Sequence, residues 1–300
     1  HGPCHGDSRA DSAGRADGEG AACDGQIYGV FQGKRPAVDQ FPEYPHWFDT
    51  GKVVEGWYKD LDYNTKWNFV EDVVENDITL YAKWIDYNEP SKIYIDITDS
   101  TDITLNIYQS VSHGVTINWG DGSPDETTST IGDTEITHTY STKGKYTVNV
   151  WCNDGYHYLG SGYNKPIISP ASYILSIDFA WNLSRTSPYA LQGATNLTHI
   201  SIPRYMSEVT IGMFYGCSSL SIEGLELPDN LKIIGNSAFQ NCTGLVGTFE
   251  MPKTIETIGT YAFAGCKGIT EFIFSDLITE FPECAFQECT ALKIFNTPRA

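Results

Sequence analysis

The side chains of this chain that could do chemistry are eight cysteines, seven histidines and 38 carboxylates. Catalysis or metal binding needs several such groups at spacings that bring them together, such as His-Glu-x-x-His for zinc or Gly-x-Ser-x-Gly for acyl transfer. Neither pattern occurs, and the sequence has no Gly-Lys-Ser/Thr phosphate loop. The histidines beyond residue 24 are scattered: His46, His113, His138, His157 and His199. We therefore predict that the chain is not an enzyme and holds no cofactor.

Three aspartates offer the oxygen ligands that calcium prefers. They are Asp121, Asp125 and Asp133, and they lie close together in sequence. Calcium takes about six to eight oxygens, and the surrounding residues do not supply a recognisable set of that size. We therefore predict no metal site.

Four of the cysteines recur at one position of an internal repeat. Apolar residues stand three, six, eleven, fourteen and seventeen positions after the anchor residue of each copy. Each of the four copies has a phenylalanine eleven residues after its anchor and a cysteine fourteen residues after it. The anchors are Pro203, Pro228, Pro252 and Ser275, the phenylalanines are Phe214, Phe239, Phe263 and Phe286, and the cysteines are Cys217, Cys242, Cys266 and Cys289.

The repeat predicts a solenoid over residues 170–300, because each unit of this length can bury its apolar face only against its neighbours. An earlier copy, anchored at Ala180, departs from the pattern only at Thr186. The run Ala238-Phe239-Gln240-Asn241-Cys242-Thr243-Gly244-Leu245 resembles the signature of the BspA-type leucine-rich repeat. The sequence stops inside a further repeat without a polar cap, so we expect the natural protein to continue.

The repeated cysteines have two possible states. Rungs of a parallel solenoid lie ~4.8 Å apart, which is within reach of a disulfide, but stacked side chains that point the same way suit that bond poorly. We expect a ladder of buried free thiols. Cys284 lies outside the ladder and could instead pair locally with Cys289.

Residues 91–168 predict a β-sandwich, because apolar and polar residues alternate in several short segments separated by turns. The segments with this alternation are residues 91–97, 103–109, 115–119, 135–140 and 145–151.

A tight turn is predicted within this region at Trp119-Gly120-Asp121-Gly122. The glycines permit a positive φ, and the Asp121 carboxylate can accept bonds from nearby amides. Trp119 and Tyr146 would fill the core. The motif, with the later segments His138-Thr139-Tyr140 and Gly144-Lys145-Tyr146-Thr147-Val148, resembles the PKD domain, and the resemblance implies an immunoglobulin-like fold.

Residues 25–86 contain aromatic-rich segments. Within each segment aromatic and apolar residues alternate with polar ones, as expected of strands with one buried face. The segments Gly56-Trp57-Tyr58, Thr65-Lys66-Trp67-Asn68-Phe69 and residues 77–84 resemble the Listeria–Bacteroides repeat, also called the internalin B-repeat. That resemblance implies a small β-grasp-like module of cell-surface proteins.

Composition and charge indicate which regions fold and which partners are excluded. Residues 1–24 have almost no large apolar side chains, so we predict a disordered tail or an expression remnant. The net charge of −19 repels phosphate backbones, which argues against nucleic acid as a partner. That charge serves solubility or attracts cations and basic partners. No apolar run is long enough to span a membrane.

Candidate ligand contacts are few. Tyr156, Tyr158 and Tyr163 lie in a glycine-flanked segment that could stack on a sugar ring or pack against the first repeat. His199 and Glu271 stand between apolar positions of the repeats, where a solenoid exposes side chains.

The sequence thus predicts a mainly β protein: a β-grasp-like module, an immunoglobulin-like sandwich and a leucine-rich-repeat solenoid. The resemblances imply a bacterial cell-surface or secreted, extracellular protein that binds a protein or glycan and serves adhesion or recognition. One alternative is a carbohydrate-binding accessory region of a larger secreted hydrolase, and another is a structural stalk.

Overall fold

The computed structural model divides the chain into two compact units, His1–Asn88 and Glu89–Ala300. Its described elements are β-strands and one 3₁₀ turn at Ala171–Tyr173, which confirms the predicted mainly β fold. The predicted tail, residues 1–24, lies outside the described residues. The structure describes residues 28–31, 52–66, 78–86, 89–109, 114–152, 157–160, 165–180, 183, 185–203 and 206–296.

The first unit contains an antiparallel sheet of three strands. They are β1 (Tyr28–Phe31), β2 (Lys52–Tyr58) and β3 (Ile78–Asp86). The central strand is β3, which pairs with both others. Trp57, Tyr58 and Leu80 are buried. Trp57 and Tyr58 are successive residues of β2, so buried side chains lie on both faces at this end of the strand rather than on the single face that the alternation predicts. The predicted strand at residues 65–69 contributes a bridge from Lys66 to Tyr58, and residues 67–69 lie outside the described part.

The second unit begins with eight strands. They are β4 (Ser91–Ile97), β5 (Asp102–Gln109), β6 (Val115–Asn118), β7 (Glu126–Thr128), β8 (Gly132–Thr139), β9 (Gly144–Cys152), β10 (His157–Leu159) and β11 (Ile168–Ser169). The five strands predicted in this region are confirmed, with ends that differ by at most three residues. The short strands β7, β10 and β11 were not predicted, because two or three residues carry too little alternation to be recognised.

These eight strands lie in two sheets that share one core. In one sheet β5 pairs with β8 on one side and with β10 and β11 on the other. In the other sheet the order is β4-β9-β6-β7, all antiparallel. Ile93, Leu105, Ile117 and Val148 come from both sheets and belong to the same buried cluster. The period-two alternation therefore aims one face of each sheet inward.

The repeats form the predicted solenoid, in which each coil adds short parallel strands. One series is β12-β13-β15, a second is β14-β16-β18 and a third is β17-β19-β20. The strands are β12 (Ile174–Asp178), β13 (His199–Ser201), β14 (Glu208–Val209), β15 (Leu225–Glu226), β16 (Ile233–Ile234), β17 (Gly247–Glu250), β18 (Thr257–Ile258), β19 (Ile269–Ile273) and β20 (Ile294–Asn296).

A further side of each coil is built from turns rather than strands. Its amides donate to carbonyls of the next coil, for example from Phe214 to Ala238 at 2.8 Å and from Phe239 to Ala262 at 2.7 Å. The residue nine positions after each anchor has a left-handed backbone; these residues are Tyr189, Gly212, Ser237, Tyr261 and Cys284, with φ from 55° to 60°. The shared conformation bends every coil at the same point, so successive coils stack in register.

The sandwich and the repeats share a hydrogen-bonded sheet. The first repeat strand, β12, pairs antiparallel with β4 on one edge and parallel with β13 on the other. The result is one seven-stranded sheet, β15-β13-β12-β4-β9-β6-β7, which we call the composite sheet. The sequence predicts a domain boundary at residues 168–170, but this sheet contains strands from both sides of that boundary. The sandwich therefore covers the strand edge at the start of the solenoid, as a terminal cap would.

The polar exception in the repeat pattern has a local explanation. Thr186 occupies an apolar position and is fully buried. Its hydroxyl lies 3.2 Å from the hydroxyl of Thr210 in the next coil, and the Thr210 hydroxyl also donates to the carbonyl of Ser187 at 3.2 Å. A buried hydroxyl is tolerated when it is hydrogen-bonded. The degenerate first repeat thus pairs its buried threonine with another.

Candidate functional site

The outward residues of the repeat strands are the first candidate surface. His199 is half-buried in β13, and Glu271 is half-buried in β19, where its carboxylate accepts a bond from the Thr248 hydroxyl at 3.2 Å. These two predicted contacts belong to different sheets, since β13 is part of the composite sheet and β19 pairs with β17 and β20. The structure therefore does not bring His199 and Glu271 together within one sheet.

The tyrosine segment is only partly described. Tyr156 and Tyr163 lie outside the described residues, and Tyr158 lies in β10, opposite Tyr108 of β5. The backbone beside it bonds to the first repeat: the Ser187 amide donates to the carbonyl of Leu159 at 3.1 Å, and the Ser187 hydroxyl to that of Gly160 at 2.8 Å. These contacts are the kind that the packing alternative requires.

The Trp119-Gly120-Asp121-Gly122 turn builds a compact polar and aromatic cluster. One Asp121 oxygen accepts the Ser123 amide at 2.9 Å, and the other lies 2.9 Å from Nε2 of His138. The His138 ring stacks on Trp119 with centroids 4.6 Å apart and an interplanar angle of 7°. His138 was not predicted to take part. It lies on a different strand, and its position on the turn follows from strand pairing.

A second tyrosine fills the core beside Tyr146. Tyr140 is 1% exposed and donates its hydroxyl to the carbonyl of Trp119 at 2.8 Å. Trp119 is itself buried, whereas Tyr146 is only half-buried and bonds the Thr142 carbonyl at 2.8 Å. Tyr146 thus packs against the core as predicted but is only partly buried, with its ring 4.1 Å from that of Tyr140.

The charges in this cluster are stabilised by its hydrogen bonds. Bonds from Ser123, and after them the bond and charge of His138, lower the pKa of the Asp121 carboxyl from 3.8 to about 2, against an opposing effect of burial. Burial, with the nearby Asp121 charge, raises the pKa of Tyr140 well above its usual value. Asp121 is therefore an ionised, bonded turn residue at neutral pH. The nearby Asp125 carboxylate accepts a bond from the side-chain amide of Asn118 at 2.7 Å.

The repeat aromatics form a continuous stack through the solenoid. Phe214, Phe239 and Phe263 are fully buried, and Phe286 is partly buried. Successive rings lie 5.0, 5.2 and 5.8 Å apart with interplanar angles of 8° to 12°. This geometry is a stacked aromatic column, and it positions every coil on the next.

The cysteines form a second column beside the rings. Each thiol donates to a backbone carbonyl of the preceding coil, always the residue eleven positions after that coil's anchor. The pairs are Cys217 to Leu191 at 3.2 Å, Cys242 to Phe214 at 2.9 Å, Cys266 to Phe239 at 3.0 Å and Cys289 to Phe263 at 3.2 Å. All four are free thiols, and so is Cys284. The pairing alternative for Cys284 and Cys289 is therefore not adopted in the structure.

Burial makes these thiols poor nucleophiles. Burial raises the pKa of Cys217 to about 12 and that of Cys289 to about 11. It also raises the pKa of the fully buried Cys242 well above its usual value. A thiolate is needed for attack or metal binding. The ladder thus has a structural role in joining coils.

The composite sheet contains a pair that the sequence analysis missed. The hydroxyl of Tyr94, on β4, donates to the carboxylate of Asp178, on β12, at 3.0 Å. Both side chains are half-buried. Burial and the bond to Asp178 raise the pKa of Tyr94. The two residues are 84 positions apart, so no local spacing could have revealed the pair.

Within the described part of the chain, no group of three or more His, Cys, Asp or Glu side chains is placed to hold a metal ion. The described residues also include no helix long and apolar enough to cross a membrane.

Comparison with protein families identifies the class of the two terminal regions. Residues 171–223 and 218–300 match the BspA type leucine-rich repeat region, in six copies. Residues 39–83 match the Listeria-Bacteroides repeat domain. The chain therefore carries both kinds of repeat, which are typical of surface proteins and typically non-catalytic, and leucine-rich repeats suggest protein binding.

Two solved structures are similar to parts of the chain. One is a T. pallidum leucine-rich repeat protein, 26% identical with a TM-score of 0.33, in which the match covers 36% of this chain and 49% of the other. The second is a leucine-rich repeat protein from Bacteroides ovatus, 20% identical with a TM-score of 0.31. Its match covers 61% of this chain and 46% of the other. The match thus spans about half of each of these proteins. No curated protein matches the chain.

Proposed function

We propose that this chain is a non-enzymatic, extracellular binding protein of the bacterial surface, which recognises a macromolecule through its solenoid and serves adhesion. The observation that carries the proposal is the stack of coils, which exposes parallel strands with polar outward residues such as His199, Ser201 and Glu250. An extended, regular surface of this kind suits a large partner better than a small molecule. The two matched repeat types support the surface location.

We also propose that residues 91–168 are a PKD domain with an immunoglobulin-like fold. The support is the turn at Trp119-Gly120-Asp121-Gly122, where Gly120 has a φ of 79° and a Cβ there would lie 2.4 Å from the carbonyl oxygen of Thr147. Only glycine fits that position without a backbone shift. The turn positions Trp119 and Asp121, so the motif serves the fold and leaves recognition to other surfaces.

The test is binding of the purified full chain to a panel of matrix proteins, mucins and glycans, measured by biolayer interferometry at about 0.15 M salt. Saturable binding to one partner, weakened by Glu250→Ala or His199→Ala, is the expected result. The matched control is Glu208→Ala on β14, which leaves the same binding unchanged. Binding to no member of the panel would contradict the proposal and favour the stalk alternative.

A further inference from the structure

The composite sheet presents one outward face that begins in the sandwich and continues into the repeats. Two rows of side chains cross it, each formed by residues that lie opposite one another on neighbouring strands. One row is Thr147, Tyr94, Ser176 and His199, and the other is Asn149, Lys92, Asp178, Ser201 and Glu226. The second row spans five strands and therefore ~19 Å. All nine side chains are half-buried or exposed, because inward and outward residues alternate along the strands, apart from an irregularity in β12 between Ile174 and Ser176.

The charges along this face change where the repeats begin. The described outward residues of its repeat strands β12, β13 and β15 include two carboxylates, Asp178 and Glu226, and no lysine or arginine. On the sandwich side, Lys92 is paired with Glu89 at 3.6 Å. The repeat half of the face is therefore negative, and the nearest lysine on β4 already has an acidic partner.

The junction of the two halves has the chemistry that recognises an arginine side chain. Tyr94 comes from the sandwich and Asp178 from the first repeat, and they are joined by the 3.0 Å bond. A carboxylate accepts the forked donors of a guanidinium, and a neighbouring aromatic ring attracts its positive face. His199 lies two strands from Tyr94 in the same row, and Glu226 two strands from Asp178.

We propose that this face docks a basic segment of a protein partner, and that Tyr94 and Asp178 together receive an arginine of that segment. The occupant follows from charge complementarity: the negative repeat half favours a cationic partner and disfavours acidic glycans and nucleic acids. The inference deepens the proposed function, since it names the partner's chemistry and adds a sandwich strand to the binding surface.

The experiment measures binding of a fluorescent oligo-arginine peptide to the full chain at about 0.15 M salt, with oligo-glutamate as the negative comparator. The double variant Asp178→Asn with Glu226→Gln is expected to weaken binding about tenfold. The matched control is Glu208→Gln with Glu256→Gln, which changes the net charge equally but lies on or beside β14 and β18. An equal loss in both double variants would show attraction by net charge only and overturn the proposal.

A second comparison tests the contribution of the sandwich. Tyr94→Ala is expected to weaken binding several-fold, and Tyr108→Ala, a half-buried tyrosine on the other sheet, is expected to leave it unchanged. Tyr94→Phe keeps the ring and loses only the bond to Asp178, so it should weaken binding less than Tyr94→Ala. Unchanged binding in both Tyr94 variants would confine the surface to the repeats and overturn the composite site.

The outcome also separates this inference from the proposed function. Failure of the wild-type chain to bind oligo-arginine overturns the basic-segment proposal. If the chain still binds a member of the matrix, mucin and glycan panel, the proposed function stands without it. Thermal unfolding of each variant, recorded in parallel, identifies any variant whose loss of binding reflects loss of fold.

Discussion

Replacing the central phenylalanine of the aromatic column is expected to destabilise the second unit strongly. Phe239 is fully buried and stacks on Phe214 at 5.0 Å and on Phe263 at 5.2 Å. A Phe→Ala change in a core costs about 3–5 kcal/mol. Because two stacked contacts, each worth about 0.5–1.5 kcal/mol, are lost together, the expected value is near the upper end of that range.

The assay is reversible urea or thermal unfolding of Phe239→Ala, followed by circular dichroism. For a unit of this size a loss of about 4 kcal/mol lowers Tm by about 8–16 °C. Phe286→Ala is the graded control, because Phe286 is only partly buried and stacks on Phe263 at the longer distance of 5.8 Å. We expect it to cost about half as much. Equal losses in the two variants, or a loss below about 1.5 kcal/mol for Phe239→Ala, would refute the idea that the column carries the stability of the coils.

Three further predictions concern the turn and the thiols. Gly120→Ala is expected to cost more than about 2 kcal/mol of unfolding free energy, because the added Cβ would meet the Thr147 carbonyl. Gly122 has a similar backbone, with a φ of 85°, but nothing lies within 4 Å of an added Cβ, so Gly122→Ala should cost about 1–2 kcal/mol. Equal urea midpoints for the two variants would contradict this. Iodoacetamide at mildly alkaline pH, mapped by peptide mass, should label Cys284 and spare Cys242 in the folded chain, and rapid labelling of Cys242 would count against the buried ladder. Asp121, whose pKa falls from 3.8 to about 2 on folding, stabilises the fold above pH ~3.8 and loses that contribution as the pH falls through about 2. The difference in urea midpoint between the wild type and Asp121→Asn should therefore shrink between pH 5 and 2, and a constant difference would disprove the linkage.

The cap that the sandwich forms on the solenoid has a consequence for how the two parts act. Because β4 pairs with β12, the first repeat strand has partners on both sides and the buried cluster runs from Ile93 to Ala285 without interruption. A ligand held on both β4 and β12 would therefore contact one sheet rather than two loosely joined modules.

Much of the fold could be read from spacing alone. The rings of Phe214, Phe239 and Phe263 stack because a fixed period places the same side chain at the same point of every coil. The strands of the sandwich were located because burial on one face imposes a period of two. The sharp turn at Gly120 was likewise predicted from residue type. These are local properties, and each is determined by a few consecutive residues.

Only the tertiary structure determined which residues far apart in the sequence become neighbours. The pairing of Tyr94 with Asp178, of Asp121 with His138, and of Tyr140 with Trp119 all depend on which strands become neighbours. Strand pairing is set by the packing of whole sheets, and a sequence pattern records only the face on which a residue lies. The sequence by itself thus determined the coils and strands of this protein, and only the tertiary structure joined them into a single composite sheet.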